Sequence, residues 1–96
     1  MRKKARVDAN QKEIVQELRK RGISVLHTHQ LGKGAPDIIV GYMNSNYLIE
    51  LKDGNKSKSQ QRLTKDELDF SLKWGGNYAV CNSLEQILLL LDYDKE

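Results

Sequence analysis

The chain has 96 residues, 39% of them hydrophobic and 30% charged, which indicates one globular domain over residues 1–96 and excludes a disordered or fibrous protein. Its longest apolar run, residues 87–91, is far shorter than the ~20 residues that cross a bilayer. No apolar stretch follows the basic N-terminus, and the single Cys81 excludes an internal disulfide and an all-cysteine metal site. We therefore expect a cytoplasmic protein without a membrane partner.

The charge is unevenly distributed along the chain. Residues 1–65 carry 14 basic and 6 acidic residues, a net charge of +8, whereas residues 66–96 carry 2 basic and 7 acidic residues, a net charge of −5. A basic face on a small domain favours a polyanionic partner, most commonly nucleic acid. From charge alone, a solvated lysine-rich surface is the alternative.

The chain begins with a basic arm, residues 1–7, followed by a predicted helix. Asp8 and Gln11 have the spacing of a capping box, so the helix is expected to begin near Ala9 and to end at Gly22. Three short runs rich in β-branched and aromatic residues then predict strands: residues 23–26, 37–43 and 47–52.

The connections follow from glycine, proline and asparagine. Residues 27–36 are predicted to be a loop, and the asparagines and serine at 44–46 predict a hairpin turn. Residues 53–63 are polar and basic, and we expect an exposed loop there.

The last third of the chain is predicted to form helix, strand and helix. Two more capping boxes mark the helix starts: Thr64 with Glu67, and Ser83 with Gln86. Between them, residues 77–81 are predicted to form a strand that buries Cys81. The order α-β-β-β-α-β-α contains a hairpin and a strand–helix–strand crossover, which predicts an α/β fold with a mixed sheet.

Polar residues at the end of the predicted hairpin form a candidate site. Glu50 and Lys52 are two residues apart, so a strand directs both side chains to the same face. With a two-residue turn at positions 44–45, Asp37 lies opposite Lys52 and diagonal to Glu50. All three side chains are then expected within several ångströms of one another.

Two carboxylates and an ammonium in this arrangement suit the hydrolysis of a phosphodiester. Asp37 and Glu50 offer the hard oxygen ligands that Mg²⁺ or Mn²⁺ prefers, and the carbonyl oxygen of Leu51 is a third candidate ligand. Lys52 can orient a water or stabilise the charge that builds on the phosphate. The alternative is an ordinary cross-strand ion pair, which contributes little to stability.

The candidate residues belong to segments that occur in a fixed order along the chain: Asp8-Ala9-Asn10-Gln11, Gly34-Ala35-Pro36-Asp37, Glu50-Leu51-Lys52-Asp53-Gly54, Leu63-Thr64 and Trp74-Gly75-Gly76. On the predicted order of elements, this set resembles the PD-(D/E)XK nuclease superfamily and, within it, the stand-alone virus-type members of the VRR-NUC family. The similarity extends over residues 6–91. It implies a restriction-endonuclease-like core.

The resemblance also implies roles for individual residues. Asp37 and Glu50 correspond to metal ligands and Lys52 to the catalytic lysine. Gln11 matches a first-helix residue that approaches the metal in the family, although it is also the capping partner of Asp8. Glu67 stands where relatives commonly have Gln, so it either assists the site through a water or the lysine, or only caps its helix.

At the level of function, the resemblance implies a Mg²⁺-dependent endonuclease that acts on branched DNA, four-way (Holliday) junctions in particular, in a bacterial or phage-infected cell. A symmetrical junction has two strands to cut, which favours a homodimer. The candidate dimer surfaces are residues 88–91 of the last helix and Phe70. The alternatives are a non-catalytic nucleic-acid-binding module and a subunit of a larger repair or replication assembly.

His27 and His29 form a His-x-His pair at the end of the first predicted strand, a spacing that can bind zinc. The sequence shows no third nitrogen or sulfur ligand. A histidine near DNA phosphates, or an ordinary surface pair, is the favoured interpretation.

Overall fold

The computed structural model describes residues 9–94, so the basic arm and the capping residue Asp8 lie outside the described residues. The predicted order of elements is confirmed: α1 (Ala9–Lys20), β1 (Ser24–His27), β2 (Ile38–Tyr42), β3 (Ser45–Leu51), α2 (Lys65–Lys73), β4 (Tyr78–Cys81) and α3 (Leu84–Leu91). A short 3₁₀ turn, His29–Leu31, interrupts the first loop. Residues 53–63 contain no helix or strand and are mostly exposed, as expected.

The strands β1 to β4 form a mixed sheet in the order β1-β2-β3-β4. The pairs β1–β2 and β2–β3 are antiparallel, and β3–β4 is parallel. A parallel neighbour requires a crossover connection, which residues 52–77 supply with α2. The predicted α/β fold with a mixed sheet is therefore what the chain adopts.

The hydrophobic core lies between the sheet and the helices α1 and α3. Apolar residues at helical spacing in α1 and α3 meet alternate residues of the strands. The buried members are Ile14, Val15, Leu18, Ile23, Ile38, Val40, Ile49, Leu51, Cys81, Ile87 and Leu91. Within residues 9–94, every helix falls short of the length and apolar character needed to cross a membrane.

Capping interactions lie at the C-terminal end of α1 and at the N-terminal ends of α2 and α3. Gly22 has φ +76°, and its N–H and that of Ile23 donate to the last carbonyls of α1, which stops the helix as predicted. The Thr64–Glu67 capping box is complete. Ser83 caps α3, but Gln86 accepts a hydrogen bond from the N–H of Asn82 at 2.6 Å, outside the predicted box.

The hairpin turn lies one residue earlier than predicted. Tyr42 pairs with Ser45, so the turn is Met43-Asn44, and both residues have positive φ, 50° and 64°. Asp37 therefore lies opposite Glu50 and not opposite Lys52. Moving the turn by one residue shifts each pairing by two residues, which leaves every side chain on its predicted face.

The second helix lies on the other face of the sheet, and none of its residues, Lys65–Lys73, is buried. Leu68 and Leu72 are 47% and 74% exposed. Phe70, a candidate for a dimer surface, stacks on Trp74 and contacts the ring of Tyr78, with ring centroids 5.5 and 6.0 Å apart. Phe70 is therefore engaged within its own chain.

A glycine lets the first loop reach α2. Gly34 has φ +80°, and a Cβ atom at this position would overlap the backbone of Asp66 and Glu67. The loop that leads to Asp37 thus packs directly on the first turn of α2. Only glycine combines this φ with this approach.

We predict that Gly34→Ala destabilises the fold by about 3 kcal/mol or more, because it combines left-handed strain with a backbone overlap. Gly22→Ala is the matched control, because Gly22 after α1 has φ +76° but a Cβ atom there would meet no atom within 4 Å beyond its chain neighbours. It should cost only the strain, about 1 kcal/mol. Urea unfolding measures both, and equal losses would contradict the proposed loop–helix packing.

Candidate active site at the end of the hairpin

Asp37 is held where β2 begins. Ile38 pairs with Ile49, so the next position outward sets Asp37 opposite Glu50. Asp37 Oδ2 accepts a hydrogen bond of 2.7 Å from the N–H of Leu51, and its carbonyl oxygen accepts one of 2.9 Å from the N–H of Thr28. Bonds to two neighbouring segments restrict both the backbone and the carboxylate of Asp37.

Glu50 is the buried acid of the site, with only 4% of its surface exposed. Its Oε2 lies 3.5 Å from the Nζ atom of Lys52. Its Oε1 is enclosed and has no hydrogen-bond partner among residues 9–94. A buried acceptor without a donor is costly, which singles this oxygen out as one that a ligand can satisfy.

Lys52 joins the sheet to α2. Its Nζ donates a 2.8 Å hydrogen bond to Glu67 Oε1, which also accepts from the backbone N–H of Thr64 at 2.9 Å. Glu67 therefore caps α2 and also holds the lysine, so it does more than cap its helix, and its assistance to the site stays a prediction. The two side chains are only 14% and 18% exposed, so solvent screens this pair weakly.

A cavity of about 260 Å³ opens between these groups and the basic loop, residues 53–63. Its lining residues are Asp37, Glu50, Leu51, Lys52, Asp53, Lys56 and Gln60. The carboxyl groups of Asp37 and Glu50 and the side chain of Lys56 on the loop therefore line the same cavity. A phosphate group in the cavity would face cations from two sides.

Burial and neighbouring negative charge favour the protonated acids. Burial, followed by the charges of Asp37 and Glu67, raises the pKa of Glu50 to about 9. Burial also raises the pKa of Asp37, although the N–H of Leu51 opposes the shift. At neutral pH, and without a cation, Glu50 therefore holds a proton.

Lys52 and Glu67 remain charged. Burial would lower the pKa of Lys52, but the hydrogen bond and charge of Glu67, with the charge of Glu50, outweigh it and raise that pKa. Burial would raise the pKa of Glu67, but the hydrogen bonds from Lys52 and Thr64 lower it. Lys52 is thus an ammonium, suited to donate a hydrogen bond and not to act as a base.

Gln11 is buried on the first turn of α1, and its amide nitrogen lies 3.1 Å from His27 Nδ1. Among the described residues, Gln11 forms no hydrogen bond with Asp37, Glu50 or Lys52. The structure thus assigns it a histidine partner, and its approach to a metal remains a prediction.

His27 and His29 meet edge to face, with ring centroids 5.8 Å apart. Burial, and then the charges of Arg19 and His29, lower the pKa of His27. Within residues 9–94, no group of three or more His, Cys, Asp or Glu side chains is placed to hold a metal. Among the described residues, His27 and His29 therefore have no third His, Cys, Asp or Glu side chain with which to bind zinc.

The donor set at Asp37 and Glu50 does fit magnesium. Mg²⁺ commonly takes one or two carboxylates and completes its shell with waters and phosphate oxygens. The enclosed Oε1 of Glu50 is an acceptor without a donor among the described residues. Two carboxylates beside an open cavity are therefore sufficient protein ligands for this ion.

The structure adds Tyr78, which the sequence did not single out. It lies on β4 and pairs with Leu48, so it shares the face of Glu50. No local motif marks this residue, because its place depends on the register of two strands distant in the chain.

No protein-family model matches the chain, and no curated protein gives a match. The resemblance to the VRR-NUC family therefore rests on the residues quoted above.

We predict that stability falls with rising pH because of Glu50. Its pKa is raised from 4.5 to about 9 in the folded chain, so the stabilisation that its proton provides is complete below pH 4.5 and is lost as the pH approaches 9. Between pH 5 and about pH 9 in EDTA, the Tm of Glu50→Gln should fall at least about 4 °C less than that of the wild type, which corresponds to about 1 kcal/mol or more. The control Glu13→Gln changes an exposed residue of α1. If both variants followed the wild-type pH profile, the burial of an ionisable Glu50 would be wrong.

Proposed function

We propose that the protein is a metal-dependent endonuclease that hydrolyses phosphodiester bonds in DNA, with branched substrates such as four-way junctions preferred. One observation carries the proposal: Asp37 lies opposite Glu50 at the end of the hairpin, and the Lys52 ammonium lies 3.5 Å from Glu50. The resemblance to virus-type VRR-NUC nucleases supports the same assignment, and the preference for branched DNA rests on it.

Asp37 and Glu50 are the residues that would hold Mg²⁺, or Mn²⁺, with the carbonyl oxygen of Leu51. When bound, the ion supplies Lewis-acid chemistry, since it polarises a phosphoryl oxygen and lowers the pKa of a bound water. The N–H of Leu51 fixes the orientation of Asp37. Glu50 must release its proton to become a ligand, so its buried carboxyl couples ion binding to proton release.

Lys52 is assigned the electrostatic role. An ammonium has three N–H donors, of which one bonds Glu67 and another points to the Glu50 side. The third is available to a phosphate oxygen or to the attacking water. Glu67 holds the ammonium in place, so its charge is positioned before the substrate arrives.

DNA is the proposed partner because the basic loop borders the cavity. Lys56 lines it, and Lys58 and Arg62 lie exposed on the same loop. These side chains can neutralise phosphates near the cleavage site. Contacts of this kind recognise the shape of the DNA backbone and carry no direct sequence information.

We predict that Lys52→Ala retains Mn²⁺ and DNA binding but loses cleavage by about 100-fold or more, because its charge matters most in the transition state. Asp37→Ala should lose both ion binding and cleavage. Lys73→Ala is the matched control, since Lys73 is exposed at the end of α2.

The assay is Mg²⁺-dependent cleavage of linear, flapped and four-way DNA by folded variants. Full cleavage by Lys52→Ala would reject its role. Binding without cleavage by the wild type, with either metal, would identify a non-catalytic nucleic-acid-binding module instead.

We further propose a homodimer that contacts through the outer side of α3. Leu88 packs against the core and Leu91 is buried, whereas Leu89 and Leu90 are 71% and 38% exposed. Exposed leucines on a short helix are unfavourable in water and favour association. Two copies related by a two-fold axis would place one site on each strand of a symmetrical junction.

Light scattering at micromolar concentration checks the assembly. We expect a mass of twice the 11.0 kDa of one chain for the wild type, and one-chain mass for Leu89→Lys. Leu72→Lys, which changes a leucine of α2 that is 74% exposed, is the control and should remain dimeric. A wild-type mass of one chain would reject the dimer.

A further inference from the structure

Tyr78 places a phenol on the face of the sheet that carries the site. Because β3 and β4 are parallel, Tyr78 pairs with Leu48 and Val80 pairs with Glu50. Tyr78 is therefore diagonal to Glu50 and directed to the same side of the sheet. Its ring lies 6.0 Å from that of Phe70, so α2 covers it.

The hydroxyl of Tyr78 and the carboxyl of Glu50 are complementary. The phenol oxygen is enclosed and has no hydrogen-bond partner among residues 9–94, and the same holds for Glu50 Oε1. When Glu50 is a carboxylate, as cation binding requires, one group is a donor without an acceptor, and the other is an acceptor without a donor. Buried polar groups in folded proteins are almost always paired, which favours a link between these two.

The electrostatics of the phenol agree with this placement. Burial, followed by the charges of Glu50, Glu67 and Asp37, raises the pKa of Tyr78 to about 12. The hydroxyl thus lies within the field of the three carboxyl groups. It keeps its proton at physiological pH and remains a donor.

We propose that Tyr78 is a positioning residue for Glu50: its hydroxyl donates through one bridging water to the Glu50 carboxylate and fixes its orientation toward a divalent cation. The inference rests on the proposed metal site. Lys52 lies near Oε2 of Glu50, and Tyr78 would be the partner of its other oxygen, Oε1. Groups that orient a metal ligand in this way typically change metal affinity or activity 10- to 100-fold when removed.

The test is Mn²⁺ binding in the absence of DNA, measured by calorimetry on Tyr78→Phe. This variant keeps the ring that contacts Phe70 and removes only the hydroxyl. We expect Mn²⁺ affinity to fall about tenfold. The matched control is Tyr42→Phe, because Tyr42 packs beside Tyr93 against the core, away from the site. It should stay within about twofold of the wild type, since it removes no group that orients a metal ligand.

Cleavage at increasing Mg²⁺ gives a second readout. A positioning role predicts that Tyr78→Phe needs more Mg²⁺ for half-maximal rate but recovers most of the maximal rate, whereas a merely structural role would not move the metal requirement. Thermal unfolding in EDTA verifies that both phenylalanine variants are folded.

The possible results distinguish a failure of the role of Tyr78 from a failure of the proposed metal site. If Asp37→Ala abolishes Mn²⁺ binding while Tyr78→Phe binds as the wild type does, the role of Tyr78 is wrong and the metal site stands. If the wild type itself binds no Mn²⁺, both are overturned.

Discussion

The hydrogen-bonded ion pair between Lys52 and Glu67 is the contact on which the open face of the sheet depends. It joins the end of β3 to the first turn of α2 through two side chains that are mostly shielded from water. Breaking one partner of such a pair leaves the other charge incompletely compensated. The same ammonium lies 3.5 Å from Glu50, so one cation compensates acidic groups of two elements.

The ion pair matters because apolar burial contributes so little on this side. The core lies between the sheet and α1 with α3, whereas none of the residues of α2 is buried. Within residues 9–94, the contacts that hold α2 include the pair with Lys52, the approach of Gly34 to Asp66, and the ring contact of Phe70 with Tyr78. The first two involve groups on the segments that carry Asp37 and Glu50. The position of α2 and the geometry of the candidate site are thus coupled.

The buried carboxyl of Glu50 explains why the site is suited to a cation. Asp37, Glu50 and Glu67 converge on one small region, and the ammonium of Lys52 cannot by itself balance three negative charges. Without a cation, a proton on Glu50 reduces this excess negative charge, because burial and the neighbouring carboxylates raise the pKa of Glu50 to about 9. A divalent cation would do so by charge, and its binding would release that proton.

Local patterns in the sequence determined the order of helices and strands, the Thr64–Glu67 cap and the burial of Cys81. Each depends on residues near one another in the chain, where capping chemistry and alternation act directly. Alternation also placed Glu50 and Lys52 on one face, opposite to the core. Alternation could not determine the position of the hairpin turn, because the apolar pattern is the same for strand pairings that differ by two residues.

Only the tertiary structure decided which of these residues meet. It set Asp37 opposite Glu50, joined Lys52 to Glu67, paired Gln11 with His27 and placed Tyr78 on the sheet face that carries Glu50. These contacts join residues far apart in sequence, and the packing of the whole sheet and its helices positions them. The protonation of Glu50 is decided at the same level, because desolvation and the distances between charges exist only once the chain has folded.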